Sequence, residues 1–258
     1  MTSISAAPAF RAPTLEQRLA QRQRPADRLV MYHSWRDLLF LHWRLEPDVI
    51  QATLPNGLHV DTFDGSAWVG IVPFFMRNIR PRWFPCVPGI SNFQEINLRT
   101  YAFDDRGTPG VWFYSLDANC LPGIVWGRTL FQLPYHWARM QYTLNPSTGR
   151  VGYTSHRRGS SPALTCRFEY EPHGPVRTAA PGTLEFFLAE RYTMFAERNG
   201  RLYSGQVHHV PYPLQDANVS RWDDHLIRLR GLPAPGRPPD HVLLSPGVDV
   251  DIYPLKPV

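Results

Sequence analysis

Phe93-Gln94-Glu95-Ile96-Asn97-Leu98-Arg99-Thr100-Tyr101 reads as a β-strand with two unlike faces. Its two-residue period puts Ile96, Leu98 and Ala102 on one side and Glu95, Asn97 and Arg99 on the other, bracketed by Phe93 and Tyr101. The first side is a core face. The second carries an acid, an amide and a base, which belong either to a solvated outer face or to a polar-lined cavity. Aromatic residues at both ends favour the cavity. At ~3.3 Å per residue, Glu95 and Arg99 sit about 13 Å apart along the strand, too far to pair directly.

Outward from this strand, extended segments alternate with turns. His59–Phe63 and Ala67–Phe75 flank Asp64-Gly65, a dipeptide that supplies the positive φ of a two-residue hairpin, and Asn199-Gly200 does the same between Thr193–Glu197 and Leu202–His209. Further strands are expected over 111–118, 136–144, 149–156, 164–171 and 248–254. Short helices are expected from Pro47 towards Leu54, from Pro122 to about Phe131, and from the cap Thr183 through Tyr192. Residues 1–28 are rich in Ala, Pro, Gln and Arg and read as a flexible arm, with one short helix from Thr14, where Thr14 and Gln17 have capping-box spacing. Residues 29–258 read as a single domain. The 26 prolines preclude long uninterrupted helices. The resulting class is α+β, mainly antiparallel β, with a strongly curved or barrel-like sheet and a few helices packed outside.

Composition narrows the function. With 43% hydrophobic against 19% charged residues, a packed core forms and disorder is excluded for most of the chain. No apolar run reaches the ~18 residues that cross a bilayer, and a signal-type apolar core is missing, so a soluble cytoplasmic protein is expected, with no membrane partner. Cys86, Cys120 and Cys166 are odd in number and widely spaced, which speaks against a disulfide framework or a zinc site. The formal charge of +5 comes from arginines, Lys256 being the single lysine. These arginines form no single stripe: most are dispersed among carboxylates, with two local clusters at Arg22, Arg24, Arg28 and at Arg77, Arg80, Arg82, and no nucleic-acid-binding motif accompanies them, so no nucleic-acid partner is expected.

Other chemistry-bearing positions are few. The 111–118 strand is apolar until Ser115 and Asp117, which places its polar end at a rim. Tyr135 and His136 open the next strand with Arg139 close behind, and their plainest role is packing with satisfied hydrogen bonds. His208-His209 invites a metal reading, but neighbours in a strand point to opposite faces and cannot chelate one ion. No nucleophile elbow, dinucleotide fingerprint or phosphate loop is present. Neither a metal nor a cofactor is expected.

Several stretches together resemble a known family. Trp35-Arg36-Asp37-Leu38-Leu39-Phe40-Leu41-His42-Trp43, Leu54-Pro55-Asn56-Gly57-Leu58, Asp61-Thr62-Phe63-Asp64-Gly65, Val69-Gly70-Ile71-Val72-Pro73-Phe74, Ser115-Leu116-Asp117-Ala118, Leu133-Pro134-Tyr135, Glu190-Arg191-Tyr192 and His208-His209 occur in the order found in the bacterial YqjF-like family. The resemblance spans about residues 29 to 256. That family is similar in fold to the acetoacetate decarboxylase superfamily, which implies a cone-shaped, mainly antiparallel barrel around a small-molecule cavity. Decarboxylases of that superfamily use a lysine of depressed pKa to form a Schiff base. The resemblance places their lysines at Tyr135 and His136, and a cavity glutamate near Glu95. Arginine cannot replace the amine, since its guanidinium stays protonated. Schiff-base decarboxylation is therefore not expected.

What remains is a small-molecule-binding protein, enzymatic or not. As an enzyme it would act on a small organic acid or ketone by acid/base chemistry without an imine. Glu95, Tyr135 and His136 are the catalytic candidates, and Asn97, Arg99, Asp117 and Arg139 the substrate-binding ones. The alternative is a non-catalytic ligand-binding or structural protein that kept the fold and lost the chemistry. A homo-oligomer is compatible with either. Glu95 in an aromatic cavity beyond reach of Arg99 should have its pKa raised by desolvation.

Overall fold

The computed structural model describes residues 10–258. Its strands are β1 (Met31–Leu45), β2 (Leu58–Val60), β3 (Ala67–Pro81), β4 (Phe93–Asp104), β5 (Pro109–Ala118), β6 (Tyr135–Leu144), β7 (Val151–Arg157), β8 (Cys166–Arg177), β9 (Thr193–Arg198), β10 (Arg201–His208), β11 (Leu214–Arg221) and β12 (His241–Pro257). The α-helices are α1 (Leu15–Ala20), α2 (Pro47–Gln51), α3 (Leu121–Leu130), α4 (Leu184–Ala189) and α5 (His225–Leu229).

All twelve strands join one sheet, antiparallel except where β5 runs parallel to β6 and to β9. The sheet closes on itself twice. One ring runs β12-β1-β3-β4-β5-β9-β10 and back to β12; the other leaves β5 through β6, β7, β8 and β11 and rejoins β12. The strands β12-β1-β3-β4-β5 are thus a wall common to both rings. That wall explains the two faces of β4. Ile96 and Leu98 point into the second ring and pack with Tyr153, Phe168 and Tyr170, while Glu95 and Arg99 point into the first with Phe74, Met194 and Val207. Both faces of β4 are buried, so neither is a solvated outer face.

The turn chemistry behaves as expected, with one difference in pairing. Asp64 and Gly65 take φ of 49° and 74°, and Asn199 and Gly200 take 54° and 73°. The second turn joins the antiparallel neighbours β9 and β10. The first closes only a Phe63–Ser66 bridge, because β2 turns away to pair with β4, Leu58 opposite Asp104. The long hairpin expected over 59–75 is therefore reduced to its tip.

The part of the expected arm that lies within the described residues is anchored. Thr14 and Gln17 form the capping box of α1. From that helix Arg18 clasps the buried Asp61 through two bonds of 2.6 and 2.7 Å, and Arg22 reaches Glu190 at 3.2 Å. Residues 1–9 lie outside the described region.

Candidate functional site

The first ring encloses a cavity of about 290 Å³ with a largely apolar lining. Loop 82–92, between β3 and β4, and helix α3 supply exposed lining residues and so border its mouth: Phe84 and Ile90 from the loop, Pro122 and Trp126 from the helix. Deeper in, Phe74, Met76, Phe93 and Leu133 line it, and its polar lining comprises Glu95, Tyr135, Arg99 and Arg191 together with His33, Ser91, Thr193 and Tyr212.

Glu95 is buried, and its Oε2 accepts a 2.7 Å hydrogen bond from the Tyr135 hydroxyl. Loss of water raises its pKa from 4.5 to about 8; the Tyr135 bond and Asn97 act the other way, and the nearby charge of Asp117 adds to the rise. At neutral pH the carboxyl is mostly protonated, with Oε2 occupied and a proton to offer. Tyr135 is pushed well above the usual phenol value by burial, then by Glu95, and stays a donor. Its ring rests on Gly127 of α3, where a Cβ would collide with it. The bare α-carbon of that helix is what lets the tyrosine reach Glu95.

At the other end, Arg99 is buried without a carboxylate partner among the described residues. Its Nη2 reaches the Tyr101 hydroxyl at 3.5 Å and the Leu188 carbonyl at 3.4 Å, and its Nε has no partner. The guanidinium lies over the rings of Phe40 and Tyr101. Beside it Arg191 has a carboxylate partner: Asp61 accepts from its Nη1 at 2.7 Å and the Phe187 carbonyl from its Nε at 2.7 Å, while its Nη2 is unpartnered. His42 bonds the Tyr101 hydroxyl at 2.8 Å, and burial holds that imidazole well below its ordinary pKa, hence neutral.

Of the seven residues proposed from sequence, Glu95, Tyr135 and Arg99 converge on this cavity. Asn97 is buried on the same face of β4 but does not line it, and its Oδ1 lacks a partner. Asp117 and His136 do not reach it. Asp117 sits opposite Ile96, on the other side of the wall, paired with Arg157 at 2.7 Å, and His136 follows it in register. Burial and Arg157 lower the His136 pKa to about 4. Arg139 is exposed on β6, beyond the part of the strand that touches the wall. The displacement of Asp117 and His136 has one cause: β5 and β6 run parallel in register, so alternation sends Leu116 and Tyr135 one way and Asp117 and His136 the other. Arg191 was missed because it follows the short helix α4 in a stretch with no strand period. Its single signal was the Glu190-Arg191-Tyr192 cluster.

Solved structures with the same fold include an acetoacetate decarboxylase-like enzyme from Sphingomonas wittichii RW1, 16% identical, covering 90% of this chain and 94% of that one with a TM-score of 0.59. Acetoacetate decarboxylase from Legionella pneumophila is 12% identical over 99% and 98% of the two chains, TM-score 0.59. The enduracididine biosynthesis enzyme MppR, complexed with pyruvate, is 14% identical over 88% and 90%, TM-score 0.58. At such identities the likeness is one of fold: this is an acetoacetate decarboxylase-like architecture. In sequence, the protein YqjF of Bacillus subtilis (strain 168) is 36% identical over 190 residues, 74% of this chain and 77% of that protein. The model of DUF2071, described as an uncharacterized conserved protein, matches residues 32–249, and the chain belongs to that family.

Proposed function

We propose that the protein binds a small organic acid with an apolar body in the first-ring cavity, Arg99 holding the carboxylate and Glu95 acting as proton donor. The observation that carries this reading is the uncompensated Arg99 guanidinium at one end of an apolar cavity whose other end holds a neutral carboxyl. An anion supplies the missing partner of a buried guanidinium and is bound through paired, charge-assisted hydrogen bonds. Glu95, its Oε2 fixed by Tyr135, would pass its proton to a carbonyl or enol oxygen of the bound acid and recover one when the product leaves. An imine route has no nucleophile: Lys256 is exposed and paired with Asp27 at 2.6 Å.

A binding role without turnover has its own support. His136 faces away from Glu95, Tyr135 stays protonated, and His33, which shares the cavity, has its pKa lowered to about 4 by loss of water, so none of these three is poised near neutral pH to relay the Glu95 proton. Thermal unfolding in the presence of aliphatic and aromatic monocarboxylates, 2-keto acids and their amides tests the binding claim. A ligand at 100 times its Kd adds about 2.7 kcal/mol of stability. Acids should stabilise, amides should not, and Arg99→Met should abolish the difference. Equal effects of acid and amide would refute the anchor. NMR of deuterium exchange into a bound keto acid, in wild type and Glu95→Gln, then separates turnover from carriage.

A further inference from the structure

Helix α3 is built the wrong way round for a surface helix. Only Ile124 and Gly127 are buried, while Val125 and Leu130 are each 55% exposed and Trp126 and Leu121 nearly as much. Across the cavity mouth, loop 82–92 adds Trp83, 81% exposed, with Phe84 and Ile90. The two segments meet where the thiol of Cys120, at the N-cap of α3, lies 3.6 Å from the Ile90 carbonyl, and Gly123 of α3 backs onto the ring of Phe93, which follows the loop at the start of β4. They therefore make one apolar patch, of the kind that marks an interaction surface.

Charge identifies what covers it. From Met76 to Gln94 and from Asn119 to Leu133 the chain has no Asp or Glu, but it has Arg77, Arg80, Arg82 and Arg128. None of the four is in an ion pair among the described residues, and the charge of Arg77 is felt by the carboxyl of Asp37. A second copy of the chain docked by a two-fold axis would set these arginines against themselves. Aliphatic side chains such as Val125 and Leu130 suit acyl chains, not nucleobases. Exposed tryptophans amid arginines are the composition of a surface that settles at the headgroup level of an anionic bilayer. We infer that α3 and loop 82–92 dock the protein onto the surface of an anionic membrane, with the cavity mouth facing the lipid. No helix among the described residues is long and apolar enough to cross a membrane, so the contact is one-sided.

Flotation with phosphatidylcholine vesicles, with and without phosphatidylglycerol, tests this. The full chain should float with the anionic vesicles, with a blue shift of tryptophan emission, and remain free of the neutral ones at physiological salt. Trp83→Ser combined with Trp126→Ser should weaken partitioning by about tenfold or more, as should Arg80→Glu combined with Arg82→Glu. Val176→Ser, which alters an exposed apolar residue on β8, should leave it unchanged. The targeted tryptophans are exposed, and unchanged thermal unfolding of the variant shows that its fold is intact. Absence of binding to anionic vesicles, equal loss in Val176→Ser, or a dimer in light scattering that the tryptophan variant dissociates would each overturn the proposal. The last outcome would assign the patch to a second copy.

Discussion

Replacing Glu95 by Gln should change the pH dependence of folding in a way that reports its buried carboxyl directly. Folding moves the pKa from 4.5 to about 8, chiefly by desolvation, so the folded protein holds a proton that the unfolded chain releases between those values. Below about 4.5 both states are protonated and the group contributes no pH dependence. Between 4.5 and about 8 stability falls as pH rises, and above about 8 the loss levels off. At about 1.4 kcal/mol per tenfold change in proton activity, the accumulated loss is roughly 5 kcal/mol, of the order of the whole stability of an ordinary domain. Gln keeps the acceptor for Tyr135 and removes the titration. Urea unfolding of wild type and Glu95→Gln at intervals from pH 5 to pH 9 isolates the effect, because the buried histidines and the ion pairs are common to both. The variant should gain on wild type by about 1.4 kcal/mol per pH unit up to about pH 8 and by no more beyond it. A difference independent of pH, or one that shrinks as pH rises, would refute desolvation as the dominant force on Glu95.

Other perturbations follow from the same geometry. Tyr135→Phe removes a bond that favours the charged carboxyl, so NMR of the Glu95 side chain should show a pKa still higher than in wild type; a fall would contradict the hydrogen bond. Arg99→Met removes a buried charge that lacks a carboxylate partner, and in the unliganded protein denaturant unfolding should show a gain of about 1–3 kcal/mol together with lost carboxylate binding. Asp61→Asn leaves Arg18 and the buried Arg191 without their shared anion and should cost about 3–5 kcal/mol by urea unfolding. Gly127→Ala drives a methyl group into the Tyr135 ring, so a loss of about 1–3 kcal/mol and displacement of the Glu95 titration should appear together.

By itself the sequence determined whatever depends on neighbours along the chain. The period of residues 93–101, the positive-φ dipeptides at 64–65 and 199–200 and the capping box at Thr14 have their causes within a few residues, and each is where its local chemistry placed it. Alternation also separated Glu95 and Arg99 from Ile96 and Leu98 correctly. That Lys256 is the single lysine, two residues from the end of the sequence, argued against an imine route without coordinates. What alternation could not say is which face meets water, because that depends on the partners of the wall. Two rings share β4, so both of its faces are buried, and the polar one becomes a cavity wall. Pairing of distant strands likewise decided that β2 joins β4 instead of β3, and that Tyr135 and His136, adjacent in sequence, face different interiors. The partner of Asp117 is Arg157, 40 residues away, and those of Asp61 are Arg18, 43 residues away, and Arg191, 130 residues away. Ion pairs at such separations leave no local pattern, since they form only where closure of the sheet brings strand ends and helix α4 together.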